Sequence, residues 1–158
     1  MRVAVLTVSD SVSRGERQDR SGPAVADRCR AAGWQVLSTE ALADDRERLE
    51  TRLIILADSA SVDLILTTGG TGIGPRDITP DATESICKKI LPGLGELMRL
   101  KGLEKNPRAV LSRAVAGVRN RSVIVNLPGS PRGAVESLDA VADLLPHAIE
   151  VLGGASHD

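Results

Sequence analysis

Short apolar runs alternate with helix-like patterns along nearly the whole chain, and this alternation limits the folds that the chain can adopt. The strand-like runs cover residues 3–8, 34–37, 62–67 and 122–127. Strands this apolar are buried on both faces, as in a parallel sheet that helices cover. The alternation therefore predicts a doubly wound α/β fold. In such sheets ligands bind beyond the carboxyl ends of the strands, so we expect a site in the segments after Val8, Thr67 and Leu127.

Periodic apolar residues predict where the helices lie. They cover residues 21–32, 45–57 and 79–89, with shorter helical pieces within 93–117 and a final helix that starts at Ser130-Pro131. Thr79 is expected to cap the third helix, and Pro80 suits its first position. In the final helix the apolar spacing runs without a break from Val135 to Leu152, which predicts one continuous helix.

The composition excludes several classes of function. The 158 residues fit a single domain, residues 1–158, and carry a net charge of −1. A near-neutral chain lacks the positive surface of a non-specific DNA-binding protein, and Trp34 alone gives no platform for stacked bases. No apolar run approaches the roughly 20 residues of a membrane span, and the N-terminal run is typical of a strand rather than a signal peptide. We therefore expect neither a nucleic-acid nor a membrane partner.

Cysteine and histidine give little support for zinc or acid–base chemistry. Cys29 and Cys87 are far apart and form no CxxC motif, so a disulfide framework is not expected and a reducing cytoplasm is the expected location. His147 and His157 have no partner at the spacing of metal ligands or of a catalytic triad. Phosphate chemistry remains, because it needs no general base if the nucleophile is itself an ionised phosphate.

The strongest candidate site is the glycine-rich run TTGGTGIGPRDITP at residues 67–80. Its glycines leave backbone N–H groups uncovered and permit positive φ, so successive N–H groups can form a nest for an anion. The hydroxyls of Thr68 and Thr71 add donors, and Asp77 lies where a carboxylate would hold Mg²⁺ beside bound phosphates. The run is neither a Walker A loop nor a GxGxxG motif. The alternative is a long turn in which the glycines serve geometry alone.

Two further segments follow predicted strands. Residues 126–133, NLPGSPRG, include Ser130, which can cap the final helix, and a helix N-terminus is a second place for an anion. A plain helix start explains these residues equally well. Ser9 and Asp10 follow the first strand and face the expected ligand edge.

The acidic pair before the second helix has two interpretations. Asp44 with Glu47 three residues on resembles a capping box, which would give Asp44 a purely local role. The functional interpretation makes Asp44 a second carboxylate of the site. The sequence alone favours the capping box.

At TTGGTGxGPRDxTPDAT the sequence resembles the MogA/MoaB-type molybdopterin adenylyltransferases of molybdenum-cofactor biosynthesis. The resemblance extends nearly end to end. Besides residues 67–83, it includes TVSDS at 7–11, DRSG at 19–22, ADD at 43–45, LSRAVAG at 111–117 and VNLPGSPRG at 125–133. The family often has proline where this chain has Ala43, which leaves open whether Asp44 or Asp45 is the functional carboxylate.

The resemblance implies a three-layer α/β/α domain with a mostly parallel central sheet, usually a trimer, with a hexamer as the alternative. It also implies Mg²⁺-dependent transfer of AMP from ATP to the terminal phosphate of molybdopterin, with release of pyrophosphate. Asp44 and Asp77 would be the catalytic carboxylates, and Asp77 would position the Mg²⁺. Together with the residues argued above, the substrate- and phosphate-binding set is Ser9, Asp10, Thr68, Gly69, Gly70, Thr71, Gly72, Ser112, Asn126, Pro128, Gly129 and Ser130.

Two other functions fit the same motifs. One is a family member that binds molybdopterin, or serves as a scaffold, without efficient catalysis; retention of both Asp44 and Asp77 favours the enzyme. The other is a nucleotide pyrophosphatase similar to competence-damage proteins. The lack of a long C-terminal extension argues against that second alternative.

Overall fold

A mostly parallel sheet forms the centre of the structure, a computed structural model that describes residues 1–156 and so leaves His157 outside the described residues. The strands are β1 (Arg2–Val8), β2 (Gln35–Leu42), β3 (Leu64–Thr68), β4 (Lys89–Ile90), β5 (Ala116–Arg119) and β6 (Ser122–Leu127). Their order across the sheet is β2-β1-β3-β6-β5-β4. The strands β2, β1, β3 and β6 are parallel, whereas β5 and β4 form an antiparallel edge. The α/β fold with a mostly parallel sheet is confirmed.

Helices cover both faces of this sheet. They are α1 (Asp10–Ser13), α2 (Ser21–Ala31), α3 (Arg46–Asp58), α4 (Thr79–Ile86), α5 (Pro92–Leu103), α6 (Pro131–Val141) and α7 (Leu145–Leu152), with 3-10 turns at Pro107–Leu111 and Ala142–Leu144. The helices α2, α5, α6 and α7 pack on one face, and α3 and α4 on the other. The three-layer arrangement is therefore also confirmed.

The period of two along each strand divides the core between the two faces. In β1, Val3 and Val5 join the cluster under α2 and α6, whereas Ala4 and Leu6 join the cluster under α3 and α4. All four side chains are fully buried. The sequence lacks Phe and Tyr, so aliphatic side chains fill both layers.

The strand order places a crevice at the carboxyl ends of β1 and β3. Strand β1 pairs with β2 on one side and with β3 on the other. The chain leaving β1 leads to α2 and the chain leaving β3 leads to α4, and these two helices lie on opposite faces of the sheet. Loops leaving β1 and β3 therefore diverge, and such a switch point is where open α/β sheets bind ligands.

The helical prediction for residues 93–117 is wrong at its end. The chain from Ala116 onward forms β5, and Asn120 at φ +52° lies in the two-residue turn that leads into β6. Asn tolerates this left-handed conformation. Ala116 and Val118 are buried, so packing against the sheet, not the helical propensity of alanine, decides the conformation of this run.

The final helix is not continuous as the sequence predicted. Helix α6 ends at Val141, a 3-10 turn follows, and α7 begins at Leu145. Pro146 has no N–H and fits only the first turn of a helix, so a new helix must start beside it. The apolar spacing survives because Val141 and Leu145 pack in the same core cluster.

Strand β2 is longer than the predicted strand at residues 34–37. It extends to Leu42 at the edge of the sheet, where exposed and half-buried residues alternate. The prediction relied on a continuous apolar run, so it did not include the polar residues in the second half of β2.

The sheet separates the two cysteines. Cys29 lies in the core cluster under α2, and Cys87 packs against the cluster under α4. Burial raises the pKa of each thiol to about 11. No helix within residues 1–156 is long and apolar enough to cross a membrane.

The aliphatic core gives a direct test of the fold. Leu66→Ala, in the fully buried middle of β3, should lower the free energy of unfolding by about 2–5 kcal/mol because it leaves a cavity. Leu100→Ala, at a side chain that is 62% exposed, is the control and should change it by no more than about 0.5 kcal/mol. Urea denaturation followed by circular dichroism measures both, and equal losses would contradict this core.

Candidate active site

The loops that follow β1, β2, β3 and β6 meet at the carboxyl edge of the sheet. Backbone hydrogen bonds continue past the strand ends and hold these loops in pairs. The N–H of Ser9 donates to the carbonyl of Leu42 at 2.8 Å, and the N–H of Gly69 donates to that of Leu127 at 3.0 Å. The predicted segments therefore converge on the crevice at the switch point.

Positions 69 and 70 require glycine for two reasons: the backbone has positive φ, and there is no room for a Cβ atom. Their φ angles are +95° and +66°. A Cβ on Gly69 would overlap the carbonyl oxygen of Val8, and a Cβ on Gly70 would overlap Oγ1 of Thr79 and lie 3.3 Å from Oδ1 of Asp44. The loop thus brings bare backbone against a carboxylate, which a larger residue would prevent.

Thr79 does not cap α4 with its side chain, contrary to the prediction. It is the first residue of the helix, and Ile78 precedes it without a side-chain cap. The N–H of Thr79 donates instead to the carbonyl of Gly70 at 3.1 Å. Its hydroxyl is fully buried and has no hydrogen-bond partner among the described residues. The start of α4 is therefore held to the glycine-rich loop through its backbone and has no side-chain cap.

Asp77 folds back over the glycine-rich loop. Its Oδ2 accepts a hydrogen bond from the N–H of Gly74 at 2.8 Å. A Cβ on Gly72 or Gly74 would lie only 2.8 or 3.0 Å from that oxygen, so the absence of side chains makes room for the carboxylate. No described residue donates a hydrogen bond to Oδ1 of Asp77, which leaves this oxygen able to bind a cation.

Asp10 and Asp44 hold each other through reciprocal hydrogen bonds. The N–H of Asp10 donates to Oδ2 of Asp44, and the N–H of Asp44 donates to Oδ1 of Asp10, each at 2.9 Å. Arg76 donates to Oδ2 of Asp10 from Nε at 3.0 Å and from Nη2 at 2.8 Å. Protein donors thus occupy the carboxylate of Asp10, which holds Asp44 in place instead of presenting a free carboxylate to a ligand.

These contacts move the pKa values of the two acids in opposite directions. Hydrogen bonds from Arg76 and from the backbone of Asp44 lower the pKa of Asp10. Burial raises the pKa of Asp44, and the negative charges of Asp10 and Asp77 add to that rise, although the N–H of Asp10 opposes it. A divalent cation beside Asp44 would relieve this unfavourable charge.

Asp45, not Asp44, caps helix α3. The side chain of Asp45 accepts a hydrogen bond from the N–H of Arg48 at 3.1 Å. The capping-box interpretation of Asp44 with Glu47 is therefore wrong, because the helix begins one residue later than that motif requires. Asp44 faces the crevice instead.

A cavity of about 750 Å³ lies at this edge of the sheet. Its lining includes the first residues of α2 and α6 and the side chains of Arg17 and Arg20, beside the carboxylates of Asp44 and Asp77. Helix N-termini and arginines attract phosphates, whereas carboxylates attract a cation. The predicted site residues that line this phosphate cavity are Ser9, Asp44, Thr68, Gly69, Gly70, Asp77, Gly129 and Ser130.

Hydroxyl groups fix the walls of the phosphate cavity. Oγ1 of Thr68 lies 2.6 Å from Oγ of Ser21 and joins the end of β3 to the start of α2. Oγ of Ser130 accepts a hydrogen bond from the N–H of Gly133 at 3.1 Å. The prediction that Ser130 caps the final helix is thus confirmed.

A second cavity of about 780 Å³ lies between α5, the first 3-10 turn and α6. Met98, Ala109 and Ala140 give this groove apolar walls. Several cationic side chains surround them, namely Arg99, Lys101, Lys105, Arg108 and Arg132. The predicted residues Ser112, Pro128 and Ser130 also line the groove, and Ser130 borders the phosphate cavity as well. The two cavities therefore adjoin at the start of α6.

Some predicted residues line neither cavity. They are Asp10, Thr71, Gly72 and Asn126. Asn126 is fully buried; its Nδ2 donates to Oγ1 of Thr67 at 3.0 Å and of Thr83 at 2.9 Å, and its Oδ1 accepts from the N–H of Val115. In this structure Asn126 joins β6 to β3 and α4 and does not face a ligand.

Arginines are the main site residues that the sequence reasoning missed. Arg17 and Arg20 line the phosphate cavity, Arg76 holds Asp10, and Arg113 contacts the glycine-rich loop. Arg76 and Arg113 lie within the motifs GPRD and LSRAVAG. Those motifs were the available signal, but they do not indicate which distant acceptor each guanidinium reaches.

The chain is similar to known proteins over nearly its whole length. The family described as "Probable molybdopterin binding domain" matches residues 4–147. The chain is 44% identical over 156 residues to a molybdopterin adenylyltransferase of Helicobacter pylori, covering 98% of this chain and 89% of that protein. It is 36% identical over 168 residues to the molybdopterin adenylyltransferase of Escherichia coli strain K12, covering 98% and 86%. The crystal structure of the molybdopterin biosynthesis enzyme MoaB from Thermus thermophilus superposes with a TM-score of 0.91 and 49% identity, covering 99% of each chain.

The glycine-rich loop yields a prediction about stability. Gly33→Ala places a side chain at φ +83° in open space and should cost about 1–2 kcal/mol of unfolding free energy. Gly70→Ala meets Thr79 and Asp44 as well as positive φ, so its cost should be clearly larger. Urea denaturation of the two variants measures the difference. Equal costs would mean that the loop does not pack as described.

The opposite pKa directions of Asp10 and Asp44 predict opposite effects of removing each charge. The pKa of Asp44 is higher in the folded protein than in the unfolded chain, where it is about 4. Ionisation of Asp44 therefore lowers the stability of the fold as the pH rises from the unfolded pKa through the folded pKa. Asp44→Asn keeps an acceptor for the N–H of Asp10 and should raise the urea midpoint at pH 7, with no gain at pH 3. Asp10→Asn should lower the midpoint at pH 7 and lose that effect in acid, because the folded pKa of Asp10 is lowered. Changes of the same sign at pH 7 would contradict this account.

Proposed function

This chain belongs to the family of probable molybdopterin-binding domains, and on that premise we propose that it is a molybdopterin adenylyltransferase of molybdenum-cofactor biosynthesis. Its curated relatives of that name match it over nearly its whole length. The observation in the structure that carries the proposal is the junction of the two cavities at Ser130. One cavity suits a nucleotide's phosphates, and the adjoining groove suits a flat heterocycle.

The proposed reaction joins two phosphates. An oxygen of the terminal phosphate of molybdopterin attacks the α-phosphorus of ATP, and the bond from that phosphorus to the oxygen bridging to the β-phosphate breaks. The products are adenylyl-molybdopterin and pyrophosphate. Since the attacking phosphate is already ionised at neutral pH, no side chain has to remove a proton. The exposed position of His147 in α7 agrees with this, because that residue lies in neither cavity.

We assign ATP to the phosphate cavity. The N-termini of α2 and α6 and the arginines Arg17 and Arg20 offset the charge of the triphosphate. The bare backbone at Gly69 and Gly70 allows the phosphates to approach the loop closely. The fold holds the helix N-termini and the glycine backbone in place before the ligand arrives, so these groups also stabilise the charge that develops on the leaving pyrophosphate.

The carboxylates fit a Mg²⁺ ion shared with the nucleotide. The part of the chain that the structure describes has no cluster of three acidic, histidine or cysteine side chains that could hold a metal alone. Mg²⁺ is commonly bound by one or two carboxylates together with substrate phosphates and water. Asp44 and Asp77 supply such a pair, with the raised pKa of Asp44 relieved by the cation. When bound, the ion would offset the negative charge of the phosphates.

The pterin of molybdopterin is assigned to the groove between α5 and α6. Ser112, Pro128 and Ser130 line this groove, and Ser130 also lines the phosphate cavity. A pterin bound there would direct its terminal phosphate toward Ser130 and the N-terminus of α6. The attacking and transferred phosphates would then meet near Asp44 and Asp77. Gly129, whose backbone packs against Gly69, would lie on the nucleotide side of this junction.

The remaining properties are proposed from the family membership and, for the absence of nucleic-acid and membrane partners, from the composition. We propose that residues 1–158 act as one domain, that the protein works in the cytoplasm as a trimer, with a hexamer as the alternative, and that it has no nucleic-acid or membrane partner. Analytical ultracentrifugation would distinguish these oligomers from a monomer.

A label-transfer assay tests the proposed function. The purified protein is incubated with molybdopterin, Mg²⁺ and ATP labelled at the α-phosphate, and the label is expected in an adenylylated pterin with release of pyrophosphate. Pterin binding without label would indicate a binding or scaffold protein. Labelled AMP formed from a dinucleotide without pterin would indicate a pyrophosphatase.

Asp77 gives the sharpest mutational prediction for this reaction. Asp77→Asn keeps an oxygen for the N–H of Gly74, so the loop should keep its shape while the carboxylate charge that binds Mg²⁺ is lost. Adenylyl transfer should fall by about 100-fold or more, with molybdopterin affinity nearly unchanged. Turnover and pterin titration measure the two effects. A fully active variant would exclude Asp77 from metal binding.

A further inference from the structure

Arg113 lies against the glycine-rich loop and binds its backbone carbonyls. Nε donates to the carbonyl of Gly72 at 2.8 Å, and Nη2 donates to the carbonyl of Asp77 at 2.6 Å. The backbone N–H of Arg113 donates to the carbonyl of Thr71 at 2.8 Å. One residue from a distant segment thus holds three carbonyls of the loop.

These bonds determine which way the loop's N–H groups point. In a trans peptide unit the carbonyl and the following N–H point in opposite directions. Fixing the carbonyls of Thr71 and Gly72 toward Arg113 therefore turns the N–H groups of Gly72 and Ile73 away from it. No hydrogen bond from either N–H to another described residue is present. Gly72 and Ile73 line neither cavity, so these bonds fix the fold of the loop between Gly70 and Asp77 and do not supply donors to the phosphate cavity.

The same guanidinium also fixes the position of Asp77. With its carbonyl held by Arg113 and its Oδ2 held by the N–H of Gly74, Asp77 is held at both ends. The carboxylate cannot turn away from the loop without breaking its bond to the N–H of Gly74, and the backbone of Asp77 cannot shift without breaking its bond to Arg113. The separation of the two proposed metal-binding carboxylates therefore depends on a contact outside the phosphate cavity.

Arg113 is itself unavailable as a phosphate ligand. Asp81 accepts hydrogen bonds from Nη1 at 3.2 Å and from Nη2 at 3.1 Å, and Arg113 lowers the pKa of Asp81. The guanidinium is half-buried and lines neither cavity. Carbonyls and a carboxylate use most of its donors, so its role is to position other groups.

The neighbours of Arg113 extend this contact to the groove. Nη1 of Arg99, which lines the groove, donates to the carbonyls of Ser112 at 3.3 Å and of Ala114 at 2.8 Å. The segment 112–114 therefore contacts the groove through Arg99 and the glycine-rich loop through Arg113.

We propose that Arg113 is a positioning residue for adenylyl transfer: it fixes the fold of the glycine-rich loop and, through that loop, the carboxylate of Asp77 that is proposed to bind the metal ion of the triphosphate. This inference rests on the proposed function, because it assigns the triphosphate to the phosphate cavity. It concerns a residue that does not touch the substrate.

Arg119, at the end of β5, contacts the other end of α4 and provides a matched control. Its Nη1 donates to the carbonyl of Ile86 at the last turn of that helix, and its Nε donates to Asp58, each at 2.9 Å. Like Arg113, it joins a backbone carbonyl to a carboxylate, but it lies beyond the opposite end of α4 from the loop. Arg119→Ala should therefore reproduce the loss of stability without the loss of positioning.

The test compares Arg113→Ala, Arg113→Lys and Arg119→Ala. Calorimetry measures binding of α,β-methylene-ATP at saturating Mg²⁺, label transfer measures kcat and KM, and thermal denaturation measures stability. Arg113→Ala should weaken nucleotide binding about tenfold and lower kcat about 100-fold, with half-maximal activity at higher Mg²⁺ concentration. Arg113→Lys should recover only a small part of the lost nucleotide affinity and kcat, since an ammonium group cannot bind both carbonyls and Asp81 as the planar guanidinium does.

Chemical rescue distinguishes positioning from a general loss of stability. Guanidinium ions at low millimolar concentration should raise the kcat of Arg113→Ala in a saturable way and leave Arg119→Ala unchanged. The proposal is overturned if Arg113→Ala binds nucleotide and turns over as Arg119→Ala does. A wild-type protein that binds no Mg²⁺–nucleotide would instead contradict the proposed function, and with it this inference. If Arg113→Ala does not fold, the same comparisons apply to Arg113→Lys.

Discussion

The site depends on the reciprocal hydrogen bonds between Asp10 and Asp44. Each residue gives its backbone N–H to the other's carboxylate at 2.9 Å, which joins the chain after β1 to the chain after β2. Two carboxylates this close repel each other, and Arg76 offsets that repulsion from one side only. The charge that remains is on Asp44, whose pKa is raised by burial and by its acidic neighbours. The fold therefore holds a carboxylate in an environment that a cation would stabilise.

The sheet topology explains why this pair lies next to a phosphate-binding loop. Strands β1 and β3 are neighbours, and their connections leave on opposite faces, so their loops open a crevice instead of packing together. Gly69 and Gly70 use positive φ to enter this crevice beside Asp44. Arg113 then holds the far side of the loop through the carbonyls of Gly72 and Asp77. The proposed adenylyl transfer uses this arrangement, in which positioned backbone groups and two carboxylates act without a side-chain base.

Local sequence patterns predicted most of the strands and the glycine-rich loop. They could not predict the features that depend on contacts between distant residues. The strands β1, β3 and β6 and the glycine-rich loop carry strong signals, because short apolar runs are typical of buried strands and clustered glycines are typical of loops. Strand β5 was missed because a short alanine-rich run fits a helix equally well until it packs against β6. The sequence alone favoured a capping role for Asp44, and only the position of the α3 cap at Asp45 shows that the carboxylate of Asp44 does not cap the helix. The side-chain partners of Arg76 and Arg113 are 66 and 32–41 residues away, so no local pattern could indicate them.

The most direct test of this account is the position of the metal in a ternary complex. Crystals of the protein grown with Mn²⁺ in place of Mg²⁺ and with α,β-methylene-ATP would show the ion by its anomalous scattering. The account predicts a peak in contact with carboxylate oxygens of Asp44 and Asp77 and with phosphate oxygens of the nucleotide. Nucleotide bound in the phosphate cavity with Mn²⁺ away from both carboxylates, or nucleotide bound elsewhere on the protein, would contradict it.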